Sequence, residues 1–192
     1  MIWLSYRLQM LSAQHCQRWL TDTEWQYAQT LSEKRARQFC NGRALVRKML
    51  QHIHAAEIND IAISLPSDTA PTLFVGKQHW HLSLSHSKDA IAVALSHSNK
   101  VGVDIEQLKP RQYSQWQKDY IALQPATGLN AFYQRWTMTE AYSKYSATPL
   151  LQALREGVPS KTLAKHIPLP GYMLCLVYQH TNTEITLTEA CW

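Results

Sequence analysis

Two short segments hold the acidic side chains best able to act together. The first is VGVDIE, residues 101–106. Read as a strand, it sends Val101, Val103 and Ile105 to one face and Gly102, Asp104 and Glu106 to the other. Two carboxylates side by side repel unless something positive lies between them. A hard divalent cation suits that position, because oxygen donors bind it and a few carboxylates plus waters and phosphates complete its shell. Taken alone, the same string also fits an amphipathic edge strand with exposed acids.

The second segment is FYQRWTMTEAYSK, residues 132–144. On a helix, Phe132, Trp136, Glu140 and Ser143 to Lys144 recur at three- and four-residue intervals and share one face. An acid among large aromatics needs a partner, since an unpaired buried carboxylate is costly. A Glu140 to Lys144 ion pair along the helix would provide only about 0.3–0.5 kcal/mol. A cation shared with Asp104 and Glu106 satisfies all three acids and leaves Lys144 for a phosphate.

The elements that must position these groups follow from periodicity. Strands are expected over 2–7, 81–85, 90–95, 101–106, 172–178 and 184–188, and helices over 11–20, 32–54, 113–123 and 129–146. Ser32 is the expected N-cap of the long helix, with Phe39, Leu45, Met49 and Ile53 facing inward. Residues 65–71 read as a loop, and Pro149 closes the 129–146 helix. The chain is therefore α/β (α+β), and the turn at 96–100 divides it into parts covering 1–99 and 100–192.

Composition narrows the function classes. A chain of 192 residues buries enough surface to fold without disulfides. Cys16, Cys40, Cys175 and Cys191 have no metal-ligand spacing and read as thiols in a reducing cytoplasm. The N-terminus, interrupted by Arg7, does not read as a signal peptide, and no run reaches the roughly 20 apolar residues of a membrane span. His79, His81 and His97 lack the companions of a zinc site. The formal net charge is +5, and residues 33–48 hold Lys34, Arg35, Arg37, Arg43, Arg47 and Lys48 against Glu33. That segment is either a solvated face or a surface for something anionic, whether nucleic acid, phosphorylated small molecule or acidic protein.

GVDIE at 102–106 and WTMTEAYSK at 136–144 together resemble the signature of the 4′-phosphopantetheinyl transferase superfamily, G-[VIC]-D-[IV]-E followed by W-[ST]-x-K-E-[AS]-x-x-K. LSLSHS at 82–87 resembles its N-[LI]-S-H-S, and RALVRKML at 43–50 its R-x-L-x-R-x-x-L segment. The length resembles the monomeric, two-lobed surfactin and holo-acyl-carrier-protein synthase type. The resemblance implies two pseudo-symmetric lobes, each a small antiparallel sheet packed by helices, with the nucleotide side in 1–99 and the metal strand and helix in 100–192. It also implies Mg2+, with Mn2+ as a substitute, on Asp104, Glu106 and Glu140, and coenzyme A as co-substrate. Ser85 and His86 would approach the nucleotide's phosphates, Lys144 the pyrophosphate, and Lys34, Arg37 and Arg43 the 3′-phosphate. Asp104, Glu140 and Lys144 would carry the reaction, with Glu140 or a metal-held hydroxide taking the proton of a serine on an apo acyl or peptidyl carrier protein. Tyr113, Trp116 and the aromatics of 132–145 would dock that acidic partner, and neither nucleic acid nor membrane is expected.

Three positions depart from the pattern. Thr139 stands where the family has lysine, Ser83 where it has asparagine, and Ala70, Pro71 and Thr72 where it has G-K-P, with Gly76 and Lys77 closer to the strand. These changes leave the acids intact and thin the positive charge around a phosphate, so a degenerate member that binds without transfer is the alternative within the family. Outside it, a Mg2+-dependent nuclease or a basic nucleic-acid binder would share the charges, but neither accounts for the three strings occurring together.

Overall fold

The fold is that of a computed structural model and describes residues 1–66, 70–110 and 112–190. Cys191 and residues 67–69 of the expected 65–71 loop lie outside that range. The elements in chain order are β1 (Ile2–Arg7), α1 (Ala13–Cys16), α2 (Asp22–Gln29), α3 (Glu33–His54), β2 (Ile61–Ile63), β3 (Leu73–Val75), β4 (Gln78–Ser87), β5 (Ala90–Ser96), β6 (Val101–Gln107), α4 (Ser114–Asp119), α5 (Leu129–Ser146), α6 (Leu150–Glu156), β7 (Leu163–Leu169), β8 (Tyr172–Tyr178) and β9 (Ile185–Glu189).

Two sheets form. The larger runs β2-β3-β4-β5-β1-β9 and the smaller β6-β8-β7. Every pairing is antiparallel except β1 with β9, which lie parallel from Ile2 opposite Ile185 to Tyr6 opposite Glu189. The last strand thus crosses back to the first sheet, a long-range pairing that periodicity alone does not reveal.

Alternation decides which faces meet. Ile2 and Leu4 of β1 and Ala90, Ala92 and Ala94 of β5 pack with Val101, Val103 and Ile105 of β6 and Leu174 and Leu176 of β8. The small alanines let the two sheets approach closely, as dense packing requires. The opposite face of the larger sheet, including Val93 and Leu95, is covered by Leu45, Val46, Met49 and Leu50 of α3. On the other side of the smaller sheet lies α5, with Ala141 against Cys175 and Val177 of β8.

Several local expectations are corrected. The 11–20 helix is a single turn, α1, continued by a 3-10 turn over Gln17–Trp19, and α2 follows from a capping box in which Thr21 and Glu24 exchange side-chain bonds with each other's backbone. Ser32 precedes α3 without a side-chain capping bond, and Phe39 and Ile53 are only half-buried. The expected 113–123 helix is α4 plus a separate 3-10 turn over Ile121–Leu123. In β4 the serines are the buried members: Ser83 and Ser85 are buried, while Leu82 and Leu84 are half-buried. Gly76, at φ 57, forms with Lys77 the exposed turn between β3 and β4. Cys16, Cys40 and Cys175 are buried free thiols.

Candidate metal and phosphate site

The acids meet because β6 lies unusually close to α5. A Cβ on Gly102 would stand 2.0 Å from the Ala141 carbonyl oxygen and 2.7 Å from the Tyr145 nitrogen, so only glycine permits the approach. Asp104 follows two residues along the same face of β6, and Glu140 immediately precedes Ala141. As a result, one ligand atom from each of Asp104, Glu106 and Glu140 lies within 4.8 Å of the others.

Each acid is anchored differently. Asp104 is 1% exposed. Its Oδ1 accepts from Ser85 Oγ at 2.6 Å and from Lys144 Nζ at 2.8 Å. Its Oδ2 is buried with no hydrogen-bond partner. Glu106 accepts from Ser87 Oγ at 2.7 Å through Oε2. Burial first, then the Asp104 charge, pushes the Glu140 carboxyl up to about 8, against the smaller opposing pull of Lys144. With every group ionised, these three acids and Lys144 leave two surplus negative charges. A divalent cation fits that deficit, and the orphaned Asp104 Oδ2 is the kind of oxygen it would bind.

The groups expected around a nucleotide separate into two neighbouring hollows. Arg43, Ser85 and His86 line a cavity of about 260 Å³ with Phe39, Pro66 and Pro71. Lys34 and Arg37 line another of about 360 Å³ with Lys88 and Asp89, and Gln38 borders both. Arg37 is engaged by Asp89 at 2.7 Å and donates to the carbonyls of Met10 and Leu11. Arg43 donates to the Ser64 carbonyl at 2.6 Å, lies over the Phe39 ring, and keeps Nη1 buried without a partner. Burial lowers its pKa to about 10, so it stays charged at neutral pH. His86 stands exposed at the end of β4, and partial desolvation, with the charges of Lys144 and Arg35, holds its ring below the usual imidazole value.

Three features were not anticipated from sequence. Glu24, buried in α2, pairs with Arg47 at 2.8 Å and approaches Arg43 at 3.7 Å, absorbing part of the basic segment's charge. Its signal was the T-x-x-E capping box at 21–24. Ser83 and Ser87 join Ser85 in bonding to β6, through Val103 N at 2.9 Å and Gln107 N at 3.1 Å. Thr139, in place of the family lysine, is fully buried and donates to the Arg135 carbonyl. The aromatics assigned to docking are also largely internal. Phe132, Tyr133 and Trp136 are buried, Tyr113 stacks on Phe132 at 4.9 Å, and Trp116, 38% exposed, packs against Trp136. Among the described residues no helix is long and apolar enough to cross a membrane.

No family model matches the chain. A 4′-phosphopantetheinyl transferase, AcpT, of Salmonella typhi is 35% identical over 136 residues, covering 62% of this chain and 69% of the relative. The AcpT of Escherichia coli (strain K12) is 36% identical over 118 residues, covering 55% of this chain and 59% of its own length. With a relative this similar over more than two thirds of its length, the chain belongs to the 4′-phosphopantetheinyl transferase superfamily, as a divergent member.

Proposed function

We propose that the protein transfers the 4′-phosphopantetheine arm of coenzyme A to a serine of an apo acyl or peptidyl carrier protein, acting as a monomer in the cytoplasm. The reading rests on one observation: three carboxylates gathered within 4.8 Å, beside an Asp104 oxygen that is buried and unpartnered. Asp104, Glu106 and Glu140 would hold Mg2+, or Mn2+ in its place. Such an ion neutralises a diphosphate and the charge that develops on its leaving oxygen.

The chain's own residues divide the remaining work. Lys144, already beside Asp104, is assigned to the pyrophosphate. Arg43 Nη1 and His86 are assigned to the 3′-phosphate end of the nucleotide, since a phosphate oxygen would supply the partner that Arg43 lacks. Lys34 and Arg37 stand beside the adjoining hollow and add to the positive field there. In this division residues 1–99 carry the nucleotide side and 100–192 the acids, with β9 returning to the first sheet. A carrier serine Oγ forms a bond to the β-phosphorus while the bond from that phosphorus to the bridging oxygen breaks, releasing adenosine 3′,5′-bisphosphate. We assign the serine's proton to Glu140, whose burial raises its basicity.

A nucleic-acid contact helix is disfavoured by the ion pairs of α3. Arg43 and Arg47 turn inward to Glu24, and Arg37 is engaged by Asp89, so α3 does not present a continuous basic face. The test is to mix the protein with Mg2+, coenzyme A and a panel of apo carrier proteins and weigh the carriers by mass spectrometry. At least one carrier gains one phosphopantetheine group, and EDTA abolishes the gain. A panel left unmodified by folded protein would contradict the assignment.

A further inference from the structure

The strand β4 meets β6 through side chains. β6 is the open edge of the smaller sheet, with β8 on its other side. An open edge leaves backbone groups that need partners. Here Ser83, Ser85 and Ser87, spaced two apart and so on one face of β4, reach across to that edge. Ser83 Oγ accepts from Val103 N at 2.9 Å, and Ser87 Oγ accepts from Gln107 N at 3.1 Å. Lys144 Nζ takes the Val103 carbonyl at 3.0 Å.

The same row of hydroxyls also meets the acids. Ser85 Oγ donates to Asp104 Oδ1 at 2.6 Å and Ser87 Oγ donates to Glu106 Oε2 at 2.7 Å. A serine hydroxyl has one proton to give. Ser85 gives it to Asp104. Ser85 is moreover 7% exposed, turned toward β6. On Asp104, Ser85 and Lys144 both occupy Oδ1, and Oδ2 is the oxygen left over.

We infer that Ser85 and Ser87 are positioning residues which fix the rotamers of Asp104 and Glu106, so that one defined oxygen of Asp104 faces the cation, while Ser83 serves only to close the β6 edge. Ser85 therefore acts on the cation site through Asp104, from the border of the cavity that it lines with Arg43 and His86. The inference rests on the metal reading given above and adds to it which hydroxyls hold the ligands. Hydrogen-bonded partners of this kind typically govern metal affinity by about 10- to 100-fold.

Mn2+ binding measured by electron paramagnetic resonance, without coenzyme A or carrier, separates the two ideas. Asp104→Asn should abolish binding; wild-type protein that binds no Mn2+, or an Asp104→Asn variant that binds like wild type, overturns both the metal reading and this inference. Given a working site, Ser85→Ala and Ser87→Ala should each weaken Mn2+ by about 10- to 100-fold. Ser87→Thr, which keeps the hydroxyl, should recover most of the affinity. Ser83→Ala should lower the melting temperature yet leave the Mn2+ affinity within about 2-fold, a split that a merely structural serine row would not produce. Should Ser85→Ala or Ser87→Ala fail to fold, the other of the two, compared with Ser87→Thr and wild type, still decides. Ser85→Ala and Ser87→Ala binding Mn2+ as wild type does, or Ser83→Ala losing affinity as they do, would overturn the inference alone.

Discussion

Two clusters of buried charge lie on either side of β4, and they are composed oppositely. In the first, Glu24 sits between Arg47 and Arg43; in the second, Lys144 serves Asp104 alongside Glu106 and Glu140. Glu24 engages both terminal nitrogens of Arg47, Nη1 at 2.8 Å and Nη2 at 3.1 Å. Arg47 Nη2 also donates to the Ile61 carbonyl, so this pair ties α2 and α3 to β2. What remains, with every group ionised, is one surplus positive charge, that of Arg43 bordering the cavity, and two surplus negative charges around Asp104 Oδ2. The balanced part of each cluster holds the fold, and the unbalanced part is where a ligand carrying both phosphate and cation would be satisfied.

That contrast can be broken first at its structural end. Removing one partner of a buried ion pair costs about 3–5 kcal/mol because the other charge is stranded. Glu24→Gln strands Arg47, and urea unfolding should show a loss of that size. If Glu24→Gln unfolds like wild type, the cluster is not the structural one.

Arg43 should behave differently although it touches the same acid. Arg43→Ala leaves the Glu24–Arg47 pair intact, so its stability cost should be smaller than that of Glu24→Gln. A lost hydrogen bond to a charged group is worth about 1.5–3 kcal/mol, or roughly 10- to 100-fold in affinity. Coenzyme A binding by isothermal titration should weaken by that amount. Unchanged affinity would remove Arg43 from the phosphate site.

The acidic cluster should show the opposite sign. Glu140 holds its proton up to about 8 in the folded chain against an ordinary value of 4.5, chiefly because it is buried and beside Asp104. Between those values the folded state binds a proton that the unfolded chain has released, so stability falls as pH rises through the window. Unfolding in EDTA should show the metal-free protein losing stability from about pH 5 to pH 8, and Glu140→Gln should flatten that dependence and stabilise the protein at the alkaline end. Destabilisation by Glu140→Gln at pH 8 would mean that the site is balanced without an ion.

The acidic half of this arrangement was largely readable in sequence, the rest much less so. Strand alternation put Gly102, Asp104 and Glu106 on one face, and helical spacing put Glu140 and Lys144 on another, because both periodicities are local. The register that joins them is also written locally, in Gly102, whose missing side chain admits the Ala141 carbonyl. Glu24 escaped notice because its partners are 19 and 23 residues away on another helix, and a T-x-x-E string signals only a helix start. Alternation along β4 put its leucines and its serines on opposite faces without telling that Ser83 and Ser85 are the buried ones. They are buried because a second sheet edge, 20 residues later, lies against them. The strand at 184–188 was legible as β9, but its place was not, since its partner is β1 at the far end of the chain.

The most direct test is an anomalous difference map from crystals of the protein grown with Mn2+. The account predicts one strong peak within bonding distance of carboxylate oxygens from Asp104, Glu106 and Glu140 together, with Asp104 bound through Oδ2. A peak elsewhere, or Glu140 turned away from an ion held by the other two acids, would contradict it.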